Sequence, residues 1–275
     1  MKLCVVTGAG GVLCSAFAAE MSRAGYAVAL LDINEAAVKA VADSINAAGG
    51  NAKAYAVSVL DREALENVRK QILSDFGKCD VLINGAGGNN PRATTTHEYF
   101  EAGEEDAAAE ELTTFFNLSE SGFDFVFDLN LKGVLLPTQV FARDMLGREG
   151  CSILNISSMN AYRPLTKIPA YSAAKAGVSN MTQWLAVHFA SAGIRVNAIA
   201  PGFFVTNQNR ALLYDNDGKP TARTEKILRG TPMGRFGESS ELLGALLFFL
   251  SDAASSFVSG VVLPVDGGFA AYSGV

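Results

Sequence analysis

The sequence predicts a single α/β domain: a doubly wound, parallel, seven-stranded sheet with helices on both faces. Three observations predict it. Short apolar β-type runs alternate with segments whose apolar residues recur at helical spacing. A glycine cluster follows the first run and an aspartate closes the second. The chain has 275 residues, 49% of them apolar, and no linker divides it.

The runs Cys4–Val6, Ala27–Leu31, Ala54–Val57, Val81–Ile83, Ser152–Ile156, Arg195–Ile199 and Val261–Val265 read as seven buried strands. Between them, Val38, Val41, Ala42 and Ile45 form one helical stripe, and Leu65, Val68, Ile72 and Phe76 another. Strands that alternate with helices pair in parallel, because right-handed crossovers place the helices on the sheet faces. Ligands of such sheets bind beyond the carboxyl ends of the strands, so motifs are sought there.

Net charge is −6 with no basic block, which argues against nucleic acid or an anionic membrane as partner, since both need clustered Lys and Arg. An anionic small molecule would have to be held by local cations such as Arg92, Lys167 or Arg210. Cys4, Cys14, Cys79 and Cys151 lack metal-ligand spacing and read as reduced, buried thiols; His97 and His188 stand without metal-ligand companions, so no metal is expected. The N-terminal apolar run is cut short by Thr7-Gly8-Ala9-Gly10-Gly11, and no run is long enough to span a bilayer. A cytoplasmic protein is the expectation.

The first strand end carries Thr7-Gly8-Ala9-Gly10-Gly11-Val12-Leu13. Glycines there let the backbone approach a pyrophosphate, whose charge is met by a helix N-terminus. Asp32, closing the second strand, stands where a carboxylate would accept hydrogen bonds from ribose hydroxyls and repel a 2′-phosphate. Neither the turn nor Ile33 supplies a cation to hold that phosphate, so NAD is preferred over NADP. Further on, Tyr171 and Lys175 stand four residues apart, on one face of a helix. A nearby ammonium favours the phenolate, bringing proton transfer towards neutral pH.

These residues, with Asn84-Gly85-Ala86-Gly87, Asn130 in Leu129-Asn130-Leu131-Lys132-Gly133, Ser157-Ser158 and Pro201-Gly202, resemble the short-chain dehydrogenase/reductase superfamily over nearly the whole chain. The resemblance implies one Rossmann-type domain over 1–275 and hydride transfer at a carbon bearing a hydroxyl or carbonyl. Tyr171 would exchange the proton on that oxygen, and Ser158, thirteen residues before Tyr171, would hydrogen-bond it. Lys175 would bind the nicotinamide ribose, and Asn130 would hold a water linking Lys175 to solvent. The implied cofactor contacts run from Gly8, Gly10, Gly11, Val12, Leu13 and Asp32 through Ser58, Val59, Asn84, Gly85 and Ala86 to Tyr171, Lys175, Pro201, Gly202, Phe204 and Thr206. Asn155 reads instead as a strand-end hydrogen-bonding residue.

Three departures concern the nucleotide site. Val12 and Cys14 stand where the family has glycine, Ser58-Val59 where it has an aspartate reaching the adenine, and Gly85 where it has a second asparagine.

Two segments are extra: an insert at about 88–121, including an acidic stretch expected to be a solvated helix face, and a substrate lid at about 206–230. Asn89, Asn90 and Arg92 open the insert beside the nicotinamide position, and Asn207, Asn209 and Arg210 lie in the lid; amides suit sugar hydroxyls and Arg a carboxylate. Asn160, Arg163 and Lys167 border the same cleft. Together with Phe127-Asp128-Leu129-Asn130 and Ser158-Met159-Asn160-Ala161, these segments resemble the branch labelled D-mannonate oxidoreductase, or fructuronate reductase. That implies a sugar-acid substrate, D-fructuronate or D-mannonate. Alternatives are the same chemistry on a 3-oxoacyl thioester or another sugar or polyol, or an NAD-binding sensor without turnover. Val178, Met181, Trp184 and Leu185 have core-like spacing and are expected to pack inside or against another subunit. The resemblance implies a homotetramer.

Overall fold

The computed structural model describes the chain apart from residues 109, 110, 207–209, 216 and 275, and apart from the side chains of 211 and 212. The first half winds β1 (Leu3–Thr7), α1 (Val12–Arg23), β2 (Ala27–Asp32), α2 (Glu35–Ala47), β3 (Ala52–Ala56), α3 (Arg62–Asp75) and β4 (Val81–Asn84). After the insert come α4 (Glu120–Phe127), a π-helical turn (Asp128–Lys132) and α5 (Gly133–Phe141). The second half contains β5 (Cys151–Ile156), α6 (Pro169–His188), β6 (Ile194–Pro201), the short helices α7 (Arg210–Leu213) and α8 (Ala222–Arg229), then α9 (Leu243–Leu250) and β7 (Val262–Val265).

All seven strands pair in parallel in the order β3-β2-β1-β4-β5-β6-β7. The order reverses between β1 and β4, where Thr7 lies opposite Asn84, and the crevice for ligands opens there. Alternation along β1 sends Cys4 and Val6 to one core, with Phe17, Met21, Val38 and Phe249. Leu3 and Val5 face the other, with Leu65, Ile72, Phe141 and Leu185. Both faces are therefore apolar, which is why the strands read as unbroken hydrophobic runs. Asn34 and Asp61 cap α2 and α3 by accepting from the Ala37 and Ala64 amides. The four cysteines are free and buried. No helix among the described residues is long and apolar enough to cross a membrane.

Three sequence expectations change. The acidic insert is not an α-helix: its described residues hold only 3-10 turns at Pro91–Ala93 and Glu104–Asp106. Gly103 enters the second turn at φ 96°, and Glu104 folds back onto His97 and the Glu101 amide, so the stretch is closed by turns without being helical. His97 does have companions: its Nδ1 pairs with Glu104, and the ligand atoms of His97, Glu101 and Glu104 lie within 4.8 Å of one another. Trp184 is 59% exposed and stacks on His188, so it does not pack inside this chain. Val178 and Leu185 are buried and Met181 packs against the second core, because the stripe facing the sheet runs through those positions and misses 184.

Candidate active site

Pro169 starts α6, so Tyr171 and Lys175 occupy its first two turns on one face, directly above the end of β5. Lys175 is buried and its Nζ donates to the Ile156 carbonyl at 2.8 Å, 5.7 Å from the centre of the Tyr171 ring. Burial pushes the ammonium down to about 8. The half-buried phenol is raised by desolvation, and a hydrogen bond from Ser158 acts in the opposite sense. Ser158 rather than Lys175 therefore favours the phenolate here, because the ammonium is held by a carbonyl at the end of the sheet. Of the two serines after β5, Ser157 turns inward, against the Lys175 carbonyl and Ser179 Oγ; Ser158 faces Tyr171.

Asn130 is fully buried in the π-helical turn between α4 and α5, a distortion that often marks a functional position. Its amide donates to the Gly88 and Val126 carbonyls at 2.7 and 2.8 Å, and Oδ1 accepts from the Gly88 amide at 3.2 Å. A Cβ on Gly87 would lie 2.7 Å from Asn130 Oδ1 and 3.1 Å from Lys175 Nζ, so a side chain there would displace one or both. Ser158, Tyr171, Lys175 and Asn130 thus converge on one point at the carboxyl edge of the sheet.

The nucleotide turn lies beside them. Gly8 adopts φ +66° and runs so close to Ala86 that a Cβ would sit 2.8 Å from its backbone. Thr7 Oγ1 accepts from the Gly85 and Ala86 amides at 3.1 and 3.3 Å, joining the ends of β1 and β4, a role that no local sequence pattern marks. Asp32 accepts from the Gly10 and Asn34 amides, both at 2.9 Å, and each oxygen keeps a lone pair for a ribose hydroxyl. Unlike α2 and α3, α1 has no side-chain cap: Gly11 precedes half-buried Val12 and Leu13, leaving first-turn amides for an anion. These features fit a dinucleotide.

Other predicted contacts are placed differently. Asn84 is buried in the sheet, its amide donating to Thr138 Oγ1 and Asn155 Oδ1 at 3.0 and 2.9 Å, while Asn155 donates to Thr182 Oγ1. Asn84 therefore supports the loop from beneath through its amide nitrogen, while its Oδ1 is buried without a partner. Val59 is buried towards Gly133, and Ser58 Oγ accepts from the Leu60 amide. Pro201, Gly202, Phe204 and Thr206 follow β6 at the same edge, with Phe204 buried and the Gly202 amide bonded to the Val265 carbonyl. Asn90 caps the 3-10 turn of the insert, Asn89 donates to Thr94, and Arg92 donates to Ser121, so each has a partner within the insert. Exposed Arg210 lies over the Tyr214 ring; Asn207 and Asn209 fall outside the described residues. Asn160 is buried beside Ser158 with its amide oxygen unpartnered. Cys14 Sγ lies 2.1 Å from where a Cβ on Gly85 would be, so two of the departures from the family pattern occupy one space.

The family described as enoyl-(acyl carrier protein) reductase matches residues 8–270. An uncharacterized oxidoreductase of Haemophilus influenzae is 62% identical over 274 residues, covering 100% of this chain and 95% of the relative. A crystal structure from Haemophilus influenza, provisionally named D-mannonate oxidoreductase and holding bound NAD, superposes with a TM-score of 0.94 at 62% identity, covering 100% of this chain and 96% of that one. An Agrobacterium tumefaciens structure, provisionally named 2-deoxy-D-gluconate 3-dehydrogenase, holds NADP; it has a TM-score of 0.80 at 34% identity, covering 98% and 97%. With the family matched along almost its whole length, the chain belongs to the short-chain dehydrogenase/reductases and is an oxidoreductase of that type.

Proposed function

We propose that this protein is an NAD(H)-dependent reductase of a sugar acid, interconverting D-fructuronate and D-mannonate. The observation that carries the chemistry is the convergence of Ser158, Tyr171, Lys175 and Asn130 at the sheet edge beside the nucleotide turn. A bound nicotinamide supplies the hydride. In the reductive direction Ser158 and Tyr171 hold the substrate oxygen, and Tyr171 gives it a proton as the carbonyl becomes an alcohol. Lys175 then restores that proton. Both amide hydrogens of Asn130 are engaged by backbone carbonyls, so a water that connects Lys175 to solvent would be held by its oxygens. The turn from Gly8 to Leu13 would hold the pyrophosphate and Asp32 the adenosine ribose. NAD is favoured because Asp32 is followed by Ile33, 79% exposed and uncharged, where a 2′-phosphate would need a cation.

The sugar-acid reading is supported by the provisional name of the 62%-identical relative and by Asn160, whose free acceptor suits a hydroxyl. Purified protein is expected to oxidise NADH rapidly on addition of D-fructuronate, and NADPH slowly or not at all. No oxidation with either cofactor would send the search to other carbonyls.

We also propose a homotetramer, supported by apolar side chains exposed on α4 and α6 (Phe123, Phe125, Trp184, Val187) and around α9 (Phe248, Phe257). Sedimentation equilibrium is expected to give four chain masses; a single-chain mass would refute it.

A further inference from the structure

Between the insert, α8 and the segment after β6 lies a cleft whose apolar wall is made by Leu165 and by Phe203 and Phe269, packed edge to face with centroids 5.2 Å apart. Its rim is charged: Glu98 from the insert, Arg223 and Lys226 from α8. Leu165 leads through Lys167 straight into α6 and Tyr171, and Phe203 follows Pro201 at the end of β6, so the cleft opens at the same edge of the sheet as the chemistry.

Three features of this rim are unexplained by the fold. Arg223 is half-buried, yet among the described residues it makes no hydrogen bond or ion pair. A guanidinium partly withdrawn from water is unfavourable unless an anion meets it, and its fork matches a carboxylate. Lys167 is the one described non-glycine residue with positive φ, 75°, a conformation that costs free energy and collects at functional sites. Its carbonyl accepts from the Thr95 amide at 2.8 Å, fixing the insert to this strained point, while its ammonium has no ion pair among the described residues. Lys226 pairs with Glu98 at 3.0 Å across the gap between lid and insert. The Glu98 carboxyl is held below its usual range first by the Lys226 bond, then by the charges of Lys167 and Arg223. Lys226 and Arg223 thus line the cleft together with Glu98, and the charge of Lys167 also acts on that carboxylate, which the protein itself provides.

We propose that Arg223, Lys226 and Lys167 form the carboxylate subsite of the enzyme, with Glu98 occupying it until the carboxylate of an acid substrate takes its place. This rests on the sugar-acid reading above and makes it specific: acids are separated from neutral sugars by these cations, and not by Arg92 or Arg210, which serve their own loops. The apolar wall takes the C–H face of the sugar while the rim takes its charge.

The test uses the full chain with saturating NADH and the variants Arg223→Gln, Lys226→Gln, Glu98→Gln and Arg223→Lys. Two readouts are taken: KM and kcat for D-fructuronate, and the rise in melting temperature given by D-gluconate at constant ionic strength, which needs no turnover. Arg223→Gln and Lys226→Gln should each raise KM roughly tenfold to a hundredfold with kcat nearly unchanged, as expected when a charge-assisted contact made equally in ground and transition states is lost. They should also abolish gluconate protection, and Arg223→Lys should restore part of it. Glu98→Gln should lower KM and increase protection. Unchanged KM and protection in both cation variants would overturn the subsite. So would weaker protection in Glu98→Gln, which would make the pair a simple strap between lid and insert. If the wild type reduces no uronate but gluconate protects it in an Arg223-dependent way, the subsite stands and the assigned substrate falls; no protection and no turnover overturns both.

Discussion

Tyr171→Phe is expected to reduce carbonyl turnover by roughly a hundredfold to ten-thousandfold, the range for loss of a positioned general acid, while NADH still binds. The substitution removes one hydroxyl from a half-buried ring, together with its hydrogen bond from Ser158, and leaves the ring seated on α6. Its effect on stability should stay near the net value of one hydrogen bond, about 1 kcal/mol. The nucleotide turn is built from β1, α1 and β2, none of which depends on that hydroxyl. Binding, followed by NADH fluorescence, should therefore survive where turnover does not. Unchanged turnover would remove Tyr171 from the mechanism, and lost NADH binding would mean the variant had disturbed the fold.

The same site sets the sign of the pH dependence in the wild type. Reduction needs the phenol protonated and the ammonium charged. Burial raises the phenol above its ordinary value of 10, so it keeps its proton throughout the useful range. Burial lowers Lys175 to about 8, so the ammonium is charged below that pH and neutral above it. The kcat/KM for reduction is therefore expected to be level below pH 8 and to fall as pH rises through it, well before the phenol titrates. A profile that stays flat to pH 10 would show that the Lys175 charge is not required.

How much of this was legible in the sequence depends on the distance over which each feature is determined. The strands were readable because both sheet faces are buried and demand continuous apolar residues; the structure moves only their ends, with β3 starting at Ala52 and β6 running to Pro201. Tyr171 and Lys175 were readable because a helix fixes their relation four residues apart. The Thr7 link to β4, and the chain of side chains from Asn84 through Asn155 to Thr182, depend on register between strands far apart in sequence, which no local pattern encodes. Arg223 and Lys226 were missed for the same reason: they sit on an ordinary amphipathic helix, and only tertiary packing brings them to Glu98. Asn90 reads in sequence as a ligand contact, but a short polar side chain ahead of a proline also closes a turn, and here its Oδ1 accepts from the Arg92 amide.

The second large effect is expected at Gly85, where two departures from the family pattern occupy one space. A Cβ at Gly85 would lie 2.1 Å from Cys14 Sγ and 3.0 Å from the Thr7 carbonyl oxygen. Cys14 is buried in the third position of α1, its thiol pushed up to about 12 by burial, so it acts as an uncharged packing group. It cannot easily move aside: a helical side chain has few χ1 wells, and its surroundings include Phe17 and Ala18. Gly85→Ala should therefore destabilise the protein by about 1–3 kcal/mol through overpacking. It should also weaken NADH binding, because α1 or the end of β4 must shift beneath the nucleotide turn. Adding Cys14→Ala removes the sulfur while leaving the two Cβ atoms 3.6 Å apart, an ordinary contact. The double variant should recover most of the lost stability and affinity, although Cys14→Ala alone gives no gain. Chemical-denaturation curves for the four proteins measure the coupling directly, and a value beyond 0.5 kcal/mol is what contacting residues show. Additive effects would mean that the glycine answers to the Thr7 carbonyl alone, and that Cys14 arose without regard to it.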